Sequence, residues 1–300
     1  MKNLVVLSAV RTPVGSFLGK LSSLSANELG AAAIRCGLDR ARVPADRVEQ
    51  VIMGNVLQAG QGQAPARQAS IKAGVPDSVP CVTVHKVCGS GMRAVMDAGN
   101  AIQAGEYDLA VAGGMESMSN APYLLDKART GLRMGNGTLV DSMIKDGLWD
   151  PYGDVHMGSC AEACVSKYSF TREEQDAYAL ESYRRAQEAS KSGLAAGEIA
   201  PVEVPQKKGG AATVEADEEP FAAPLEKIAT LKPAFEKNGS VTAGNSSKIN
   251  DGAAALVVSS AEWAARRGAK PLARIVAYGG VAQAPKLGRP NCWAPVFIIS

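Results

Sequence analysis

The alternation of short apolar runs with helix-forming segments before residue 119 constrains the fold of this 300-residue chain more than any other feature. The runs are short and rich in aliphatic and β-branched residues, which is typical of buried strands. The predicted strands are Leu4–Val10, Val51–Val56, Val79–Val84 and Leu109–Ala112. The predicted helices run from Ser25 to about Ile34, from Pro65 to Ala73 and from Gly89 to Ala104. This order predicts a layered α/β/α domain with a largely parallel sheet.

The chain changes character after Asn120, where charged residues become more frequent and apolar runs become rare. Two helices are predicted in this part, Gly158–Tyr168 and Arg172–Ser190. A buried-type strand returns at Ala253–Ser259, and we expect it to pair in the same sheet as Leu4–Val10 or Leu109–Ala112. The sequence therefore predicts one domain made of residues 1–119 and 246–270, interrupted by a long loop-rich insertion at 120–245.

Composition excludes several classes of function. The net charge is +2 and aromatic residues make up only 5% of the chain, with no basic run that aromatics interrupt. Nucleic-acid binding is not expected from such a chain. No apolar stretch reaches the length of a membrane span, and the first run is interrupted by Ser8, which favours a strand over a signal peptide. We therefore expect a cytoplasmic protein.

The six cysteines form no C-x-x-C pair and are accompanied by only two histidines, His85 and His156. This content argues against a zinc site. The default interpretation of a free cysteine is a small buried apolar residue.

Cys88 has surroundings that favour a second interpretation. In Thr83-Val-His-Lys-Val-Cys88-Gly-Ser-Gly-Met-Arg-Ala94 a predicted strand runs through a Gly-rich turn into a helix. The free N–H groups and positive dipole end of a helix N-terminus stabilise a thiolate, the reactive form of cysteine. Gly89 and Gly91 would leave room for a substrate carbonyl beside the sulfur. A nucleophile and a buried structural cysteine both remain open on the pattern alone.

Several further segments occur in an order that resembles one enzyme family. They are Ser8-Ala-Val-Arg-Thr-Pro-Val-Gly15, Gly113-Gly-Met-Glu-Ser-Met-Ser-Asn120, His156-Met-Gly-Ser-Cys-Ala-Glu162 and Val241-Thr-Ala-Gly-Asn-Ser-Ser-Lys-Ile-Asn-Asp-Gly252. Together with the Cys88 turn they resemble the motifs of thiolases, and most closely those of the acetoacetyl-CoA members. The resemblance extends from residue 1 to about Lys286.

The resemblance implies an acetyl-CoA C-acetyltransferase that reversibly condenses two acetyl-CoA molecules through an acyl-cysteine at Cys88. It implies that Ser247 contacts the pantetheine arm, that Met157 limits the acyl pocket and that His156 borders the coenzyme A channel. Coenzyme A thioesters would be substrates and no cofactor is implied. The family also implies a homo-oligomer, either a dimer or a tetramer.

Each of these positions has a plain structural alternative. Ser247 could bond the backbone of its own turn, His156 could interact with nearby backbone, and Met157 could be ordinary core. His85, which precedes the nucleophile turn, is expected to be a structural hydrogen-bonding residue.

The family pattern breaks after Lys286. Thiolases place G-H-P-x-G, C-x-G-G-G and N-E-A-F segments in a second lobe, and none of these occurs in the 300 residues. Cys292 is followed by no glycines, and the terminal apolar run from Val296 has no obvious partner strand. A shifted reading frame or an early stop would give this pattern, with residues 271–300 as a remnant of the C-terminal domain. We therefore expect this polypeptide to have little thiolase turnover.

Two other functions remain open at this point. One is a catalytically inactive acyl-CoA binder. The other is a decarboxylating condensing enzyme, a class that pairs its cysteine with two downstream histidines that this sequence lacks. The segments beginning at Gly113 and Val241 favour a thiolase over this last class.

Overall fold

The computed structural model describes residues 3–222 and 224–282 and the backbone of 296–299. Its strands are β1 (Leu4–Arg11), β2 (Gly15–Ser16), β3 (Gln50–Gly54), β4 (Cys81–Val84), β5 (Leu109–Ser117), β6 (Tyr123–Leu125), β7 (Leu139–Asp141), β8 (Trp149–Asp150), β9 (Val155–His156), β10 (Val202–Pro205), β11 (Ala211–Val214), β12 (Asn250–Ser260), β13 (Ala273–Gly279) and β14 (Val296–Ile299). The α-helices are α1 (Ala26–Ala41), α2 (Pro65–Lys72), α3 (Ser90–Ala104), α4 (Met157–Tyr168), α5 (Arg172–Lys191), α6 (Glu219–Ala222) and α7 (Ala261–Arg266). Short 3₁₀ or π turns occur at Ala45–Arg47, Met118–Asn120, Ala128–Thr130, Met143–Leu148, Ala195–Gly197 and Leu225–Thr230.

One mixed sheet organises the fold, with the strand order β14-β13-β1-β12-β5-β3-β4 and β2 paired to β12. Strands β5, β3 and β4 are parallel neighbours, as expected for strands joined through helices. Strand β12 returns from the insertion and lies between β1 and β5, antiparallel to both. The expected pairing of Ala253–Ser259 with the first strands is therefore confirmed.

The expectation of a largely parallel sheet is wrong. Strands β12 and β13 run opposite to β1, β3, β4 and β5. Strand β12 enters the sheet antiparallel after the long insertion, and β13 takes the direction of β12 because α7 connects the two as a crossover past β1. The sequence pattern before residue 119 shows such crossovers, whereas the path through the long insertion could not be followed from sequence.

The sheet has a buried core on each face. Alternate residues of β1 illustrate this arrangement: Val5 and Leu7 pack with the core on the side of α1 and α2, whereas Leu4 and Val6 pack with that of α3. Helix α1 extends past the predicted end at Ile34, and its interior Gly37 lies close to β1, where the Ser8 hydroxyl donates to the Gly37 carbonyl at 2.6 Å. The layered α/β/α architecture expected from sequence is confirmed.

The insertion contains three small antiparallel pairs, β6–β7, β8–β9 and β10–β11, and the helices α4 and α5. Both helices lie within one residue of their predicted limits. The division of the chain into residues 1–119 with 246–270, 120–245 and 271–300 stays a prediction.

The terminal apolar run has a partner, contrary to expectation, because the backbone of β14 pairs antiparallel with β13 at the edge of the sheet. The rest of the segment after Lys286, including Cys292, lies outside the described residues. Among the helices that are described, none is both long and apolar enough to cross a bilayer.

Candidate active site

Cys88 lies in a tight turn between β4 and α3. The Gly89 and Ser90 amides donate to the Lys86 and Val87 carbonyls, each at 3.1 Å, and the helix begins at Ser90. Val87 has a φ of 46°, in the left-handed region that β-branched residues rarely occupy. Such strained residues persist only where the surrounding structure holds them, and they cluster at functional sites.

Side chains on both sides of the turn hold this conformation. The buried Ser90 hydroxyl accepts from the Lys86 amide at 2.8 Å and donates to the Val87 carbonyl at 2.6 Å, so that it bridges the strained residue. His85 Nδ1 accepts from the Val87 amide at 3.2 Å. This contact agrees with the structural role expected for His85.

Glycines allow the start of α3 to lie directly on the sheet. A Cβ at Gly54, the last residue of β3, would lie 2.5 Å from the Ser90 carbonyl carbon and 2.6 Å from the Gly91 nitrogen. Across β5, a Cβ at Gly114 would lie 3.2 Å from the Gly91 Cα. The start of α3 and the turn that contains Cys88 are thereby seated against the end of β3 and the interior of β5.

Cys88 opens into a cleft of about 760 Å³. The cleft is formed by the ends of β1, β3 and β5, the first turns of α3, the start of β12 and the segment 147–148. Among the described cysteines, Cys88 is exposed, whereas Cys36, Cys81 and Cys164 are half-buried and Cys160 is buried. An exposed cysteine before a helix N-terminus, in a cleft large enough for a ligand, can act as a nucleophile toward a carbonyl.

Another wall of the cleft is fixed by Glu116, which sequence reasoning missed. Its carboxylate accepts from the Val56 amide at 2.8 Å, the Leu57 amide at 3.1 Å and Asn55 Nδ2 at 2.8 Å. Burial raises the pKa of Glu116, and these three donors partly offset that effect. Oδ1 of the buried Asn55 has no hydrogen-bond partner within the described structure. Glu116 belongs to the family segment that begins at Gly113. The one feature of the sequence that could have identified it is an acidic residue among small ones.

His156 and Met157 lie at the start of α4 and are half-buried. His156 Nδ1 accepts from the Gly158 amide at 3.0 Å and caps the helix, so the imidazole is neutral in this arrangement. Burial lowers the pKa of His156, in agreement with a neutral ring. The ring also stacks on Phe235, with centroids 5.0 Å apart. The backbone contact expected as the plain alternative for His156 is therefore present.

Ser247 is exposed at the end of a loop that docks on α4 and α5. Glu162 of α4 accepts from the Ser240 and Val241 amides, and Asp176 of α5 accepts from Asn245 Nδ2 at 2.9 Å. Both acids are 7% exposed. They were missed from sequence, where each resembled an ordinary charged residue of a surface helix.

The predicted site residues are only partly brought together. Cys88 lines the cleft, whereas His156, Met157 and Ser247 are not among its lining residues. Their neighbours in the chain do line it. Leu148 directly precedes the β8–β9 pair, which ends at His156, and Asn250 lies three residues after Ser247. The described residues contain no group of three or more His, Cys, Asp or Glu side chains that could hold a metal ion.

The rim of the cleft joins the sheet to the insertion. The Arg11 guanidinium donates to both oxygens of Asp217, at 2.7 and 2.9 Å. Burial works to raise the pKa of Asp217, but the bonds from Arg11 and the Val14 amide outweigh it and hold the pKa below its usual value. Removing Arg11 would leave a half-buried carboxylate without its main partner.

Comparison with known proteins identifies one family over most of the chain. Residues 4–262 match the family described as thiolase, N-terminal domain. The chain is 52% identical over 280 residues to an acetyl-CoA acetyltransferase of Yarrowia lipolytica, covering 93% of this chain and 70% of that protein. It is 51% identical over 288 residues to an acetyl-CoA acetyltransferase of Pseudomonas aeruginosa, covering 96% and 73%.

A solved structure is similar over nearly the whole chain. The crystal structure of the Acat5 thiolase from Ascaris suum in complex with coenzyme A superposes with a TM-score of 0.89 at 43% identity. The match covers 95% of this chain and 72% of that one.

Proposed function

The chain belongs to the thiolase family of acyltransferases, and we propose that it is an acetyl-CoA C-acetyltransferase in which Cys88 accepts the acyl group. The observation that supports the nucleophile most strongly is the exposed Cys88 thiol, which precedes the N-terminus of α3 and opens into the 760 Å³ cleft. Relatives named acetyl-CoA acetyltransferase, about half identical in sequence, support the reaction.

The proposed chemistry has two steps. The Cys88 thiolate attacks the thioester carbonyl of one acetyl-CoA, a sulfur–carbon bond forms, and coenzyme A leaves as its thiol after taking up a proton. A base then removes an α proton from a second acetyl-CoA. The resulting carbanion attacks the acetyl-cysteine carbonyl, acetoacetyl-CoA forms and the Cys88 thiolate departs. Sulfur suits both steps because the acyl group stays activated as a thioester.

Binding of coenzyme A is proposed from the similar thiolase that was solved in complex with it. In this proposal Ser247 contacts the pantetheine arm, Met157 limits the acyl pocket and His156 borders the channel. The thioesters are substrates and no further cofactor is required. A cytoplasmic homo-oligomer, dimer or tetramer, completes the proposal.

A second candidate, an acyl-CoA binder with little turnover, is favoured by the state of the histidines in a polypeptide of these 300 residues. The sequence contains only two. Nδ1 of His85 accepts from the Val87 amide and Nδ1 of His156 accepts from the Gly158 amide, so each ring has one nitrogen committed to the backbone. General acid–base help accelerates a reaction roughly 10²–10⁴-fold, and an oxyanion hole accelerates it roughly 10²–10³-fold. A chain that lacks a histidine free for these roles is therefore expected to bind its thioester with little turnover.

Thiolysis of acetoacetyl-CoA by coenzyme A separates the two candidates. An active transferase is expected to turn over within the ordinary enzyme range of ~1–10³ per second, whereas the binder is expected to turn over more than about tenfold below it. The assay follows loss of the acetoacetyl-CoA enolate absorbance, with Cys88→Ser as the blank. Turnover within that range would favour the active transferase and exclude the binder.

A further inference from the structure

The loop before Ser247 is anchored by a carboxylate that is almost completely removed from solvent. Glu162 Oε1 accepts from the Ser240 amide at 2.8 Å and from the Val241 amide at 2.7 Å, while Oε2 lies 3.1 Å from the same Ser240 amide. The Ser240 hydroxyl is 3.4 Å from Oε2. Hydrogen bonds to a carboxylate are stronger than those between neutral groups, and a buried carboxylate needs such donors.

The loop backbone is shaped to receive this carboxylate. A Cβ placed on Gly239 would overlap Glu162 Oε1 and lie 2.6 Å from its Cδ, so only glycine leaves the carboxylate in place. Val241 and Thr242, which follow, are buried at 4% and 0% exposure. The chain then turns through Asn245, which Asp176 holds at 2.9 Å, and reaches Ser247.

The same helix also presents the other proposed ligand contacts. Glu162 is in α4, whose first turn contains Met157 and is capped by His156. Phe235, just before the loop, stacks on His156 and lies against Gly158, where a Cβ would overlap its ring. The segment from Phe235 to Ser247 is therefore attached at two places along α4, by an aromatic contact at the first turn and by Glu162 farther along the helix.

We infer that Glu162 is a positioning residue for coenzyme A: by bonding the Ser240 and Val241 amides, it fixes the distance between Ser247 and the start of α4, where His156 and Met157 lie. The inference rests on the proposed function, because it assumes that both elements face one ligand. Glu162 itself would not touch that ligand. Its effect would be exerted through the loop.

The structure suggests variants that separate this role from simple burial of a charge. Glu162→Gln keeps one carbonyl oxygen, which can still accept from both amides. Its NH₂ replaces the oxygen that lies 3.1 Å from the Ser240 amide, so that second bond is lost, but the NH₂ can donate to the Ser240 hydroxyl. Glu162→Ala removes every acceptor. Gly239→Ala keeps the charge but displaces the carboxylate. Glu181→Ala is a matched control, because that glutamate bonds only Arg184 and Arg185 on the exposed face of α5 among the contacts described.

The test is the affinity of the 300-residue chain for coenzyme A, measured by calorimetry together with each variant's thermal unfolding. Loss of a charged hydrogen-bonding partner predicts that Glu162→Ala and Gly239→Ala raise Kd on the order of tenfold. Glu162→Gln should change Kd by less than about threefold, and Glu181→Ala should not change it. Since Glu162 acts through the loop, Ser247→Ala should cost much less in the Glu162→Ala background than in the unchanged chain.

Different results would contradict different claims. If the unchanged chain does not bind coenzyme A, the proposed function fails and this inference fails with it. If the unchanged chain binds and Ser247→Ala weakens binding, but Gly239→Ala and Glu162→Ala leave Kd within twofold, only the inference is overturned. Additive effects of Glu162→Ala and Ser247→Ala would also overturn it. If Glu162→Ala does not fold, Gly239→Ala and Glu162→Gln still decide the question.

Discussion

The turn that contains Cys88 and the loop that contains Ser247 are held in place by different interactions. The Cys88 turn is fixed by close backbone packing at Gly54 and Gly91 and by Ser90, whose hydroxyl bonds residues within four positions of it. The Ser247 loop is fixed by Glu162 and Asp176, whose partners Ser240 and Asn245 in the loop are 78 and 69 residues away. Asp176 also pairs with Arg172 on its own helix. The first depends on shape and the second on buried charge, so different changes should disrupt them.

The largest expected effect is the difference in thiol reactivity between Cys88 and the other described cysteines. Under limiting iodoacetamide, Cys88 should be modified on the order of tenfold faster than Cys36, Cys81 or Cys164, since it is exposed and precedes a helix N-terminus. Peptide mapping of the alkylated chain measures the order of labelling. Preferential labelling of Cys36 or Cys164 would contradict the assignment of Cys88 as the nucleophile.

A methyl group should disrupt the Cys88 turn through its packing. Gly54→Ala forces a Cβ against the Ser90 and Gly91 backbone, and overpacking of this kind costs about 1–3 kcal/mol of unfolding free energy. Urea unfolding measures the loss. Gly197→Ala is the control, because a Cβ there meets nothing within 4 Å. Equal stability of the two variants would show that the close approach of α3 to β3 is not required.

A smaller effect is expected from removing the hydroxyl that bridges Val87. Ser90→Ala deletes the bonds to the Lys86 amide and the Val87 carbonyl and should cost about 1–2 kcal/mol of stability. It should also slow alkylation of Cys88, because the left-handed Val87 can relax. Ser22→Ala, which loses only a local bond to the Gly19 carbonyl, is the control. An unchanged alkylation rate would show that Ser90 is not required to keep the turn in its reactive conformation.

The smallest expected effect is a pH dependence of the unfolding free energy that comes from His156 in the insertion. Burial lowers the pKa of His156, so the unfolded chain binds a proton more readily than the folded one. The resulting stability is present above about pH 6.5 and is lost as the pH falls below it. His156→Asn keeps a capping acceptor but does not titrate. Between pH 7.5 and 5.5 the unchanged chain should lose up to about 1 kcal/mol more than this variant, measured by urea unfolding. Equal losses would contradict the neutral cap.

The sequence predicted the Cys88 half of the site more fully than the Ser247 half, for a physical reason. Strand alternation, capping residues and the glycines near Cys88 are local signals, and they predicted α3, its preceding turn and the layered fold. The antiparallel entry of β12 depends on contacts between distant segments, whereas β14 pairs with β13, the strand that precedes it in the chain. Distant contacts also hold Glu162, Asp176 and Glu116, which bond groups 59 to 79 residues away, although Asp176 pairs in addition with Arg172 on its own helix. No local pattern distinguishes such an acid from a solvated one.

The central claim, that Cys88 accepts the acyl group, is tested most directly by mass spectrometry of the chain after incubation with acetyl-CoA. We expect one acetyl group on the peptide that contains Cys88, lost again when excess coenzyme A is added, because a thioester exchanges with a free thiol. Cys88→Ser should remain unlabelled at this peptide under the same conditions. Acetylation at Cys36, Cys81 or Cys164 with Cys88 unmodified, or no acetyl-cysteine at all, would contradict the account.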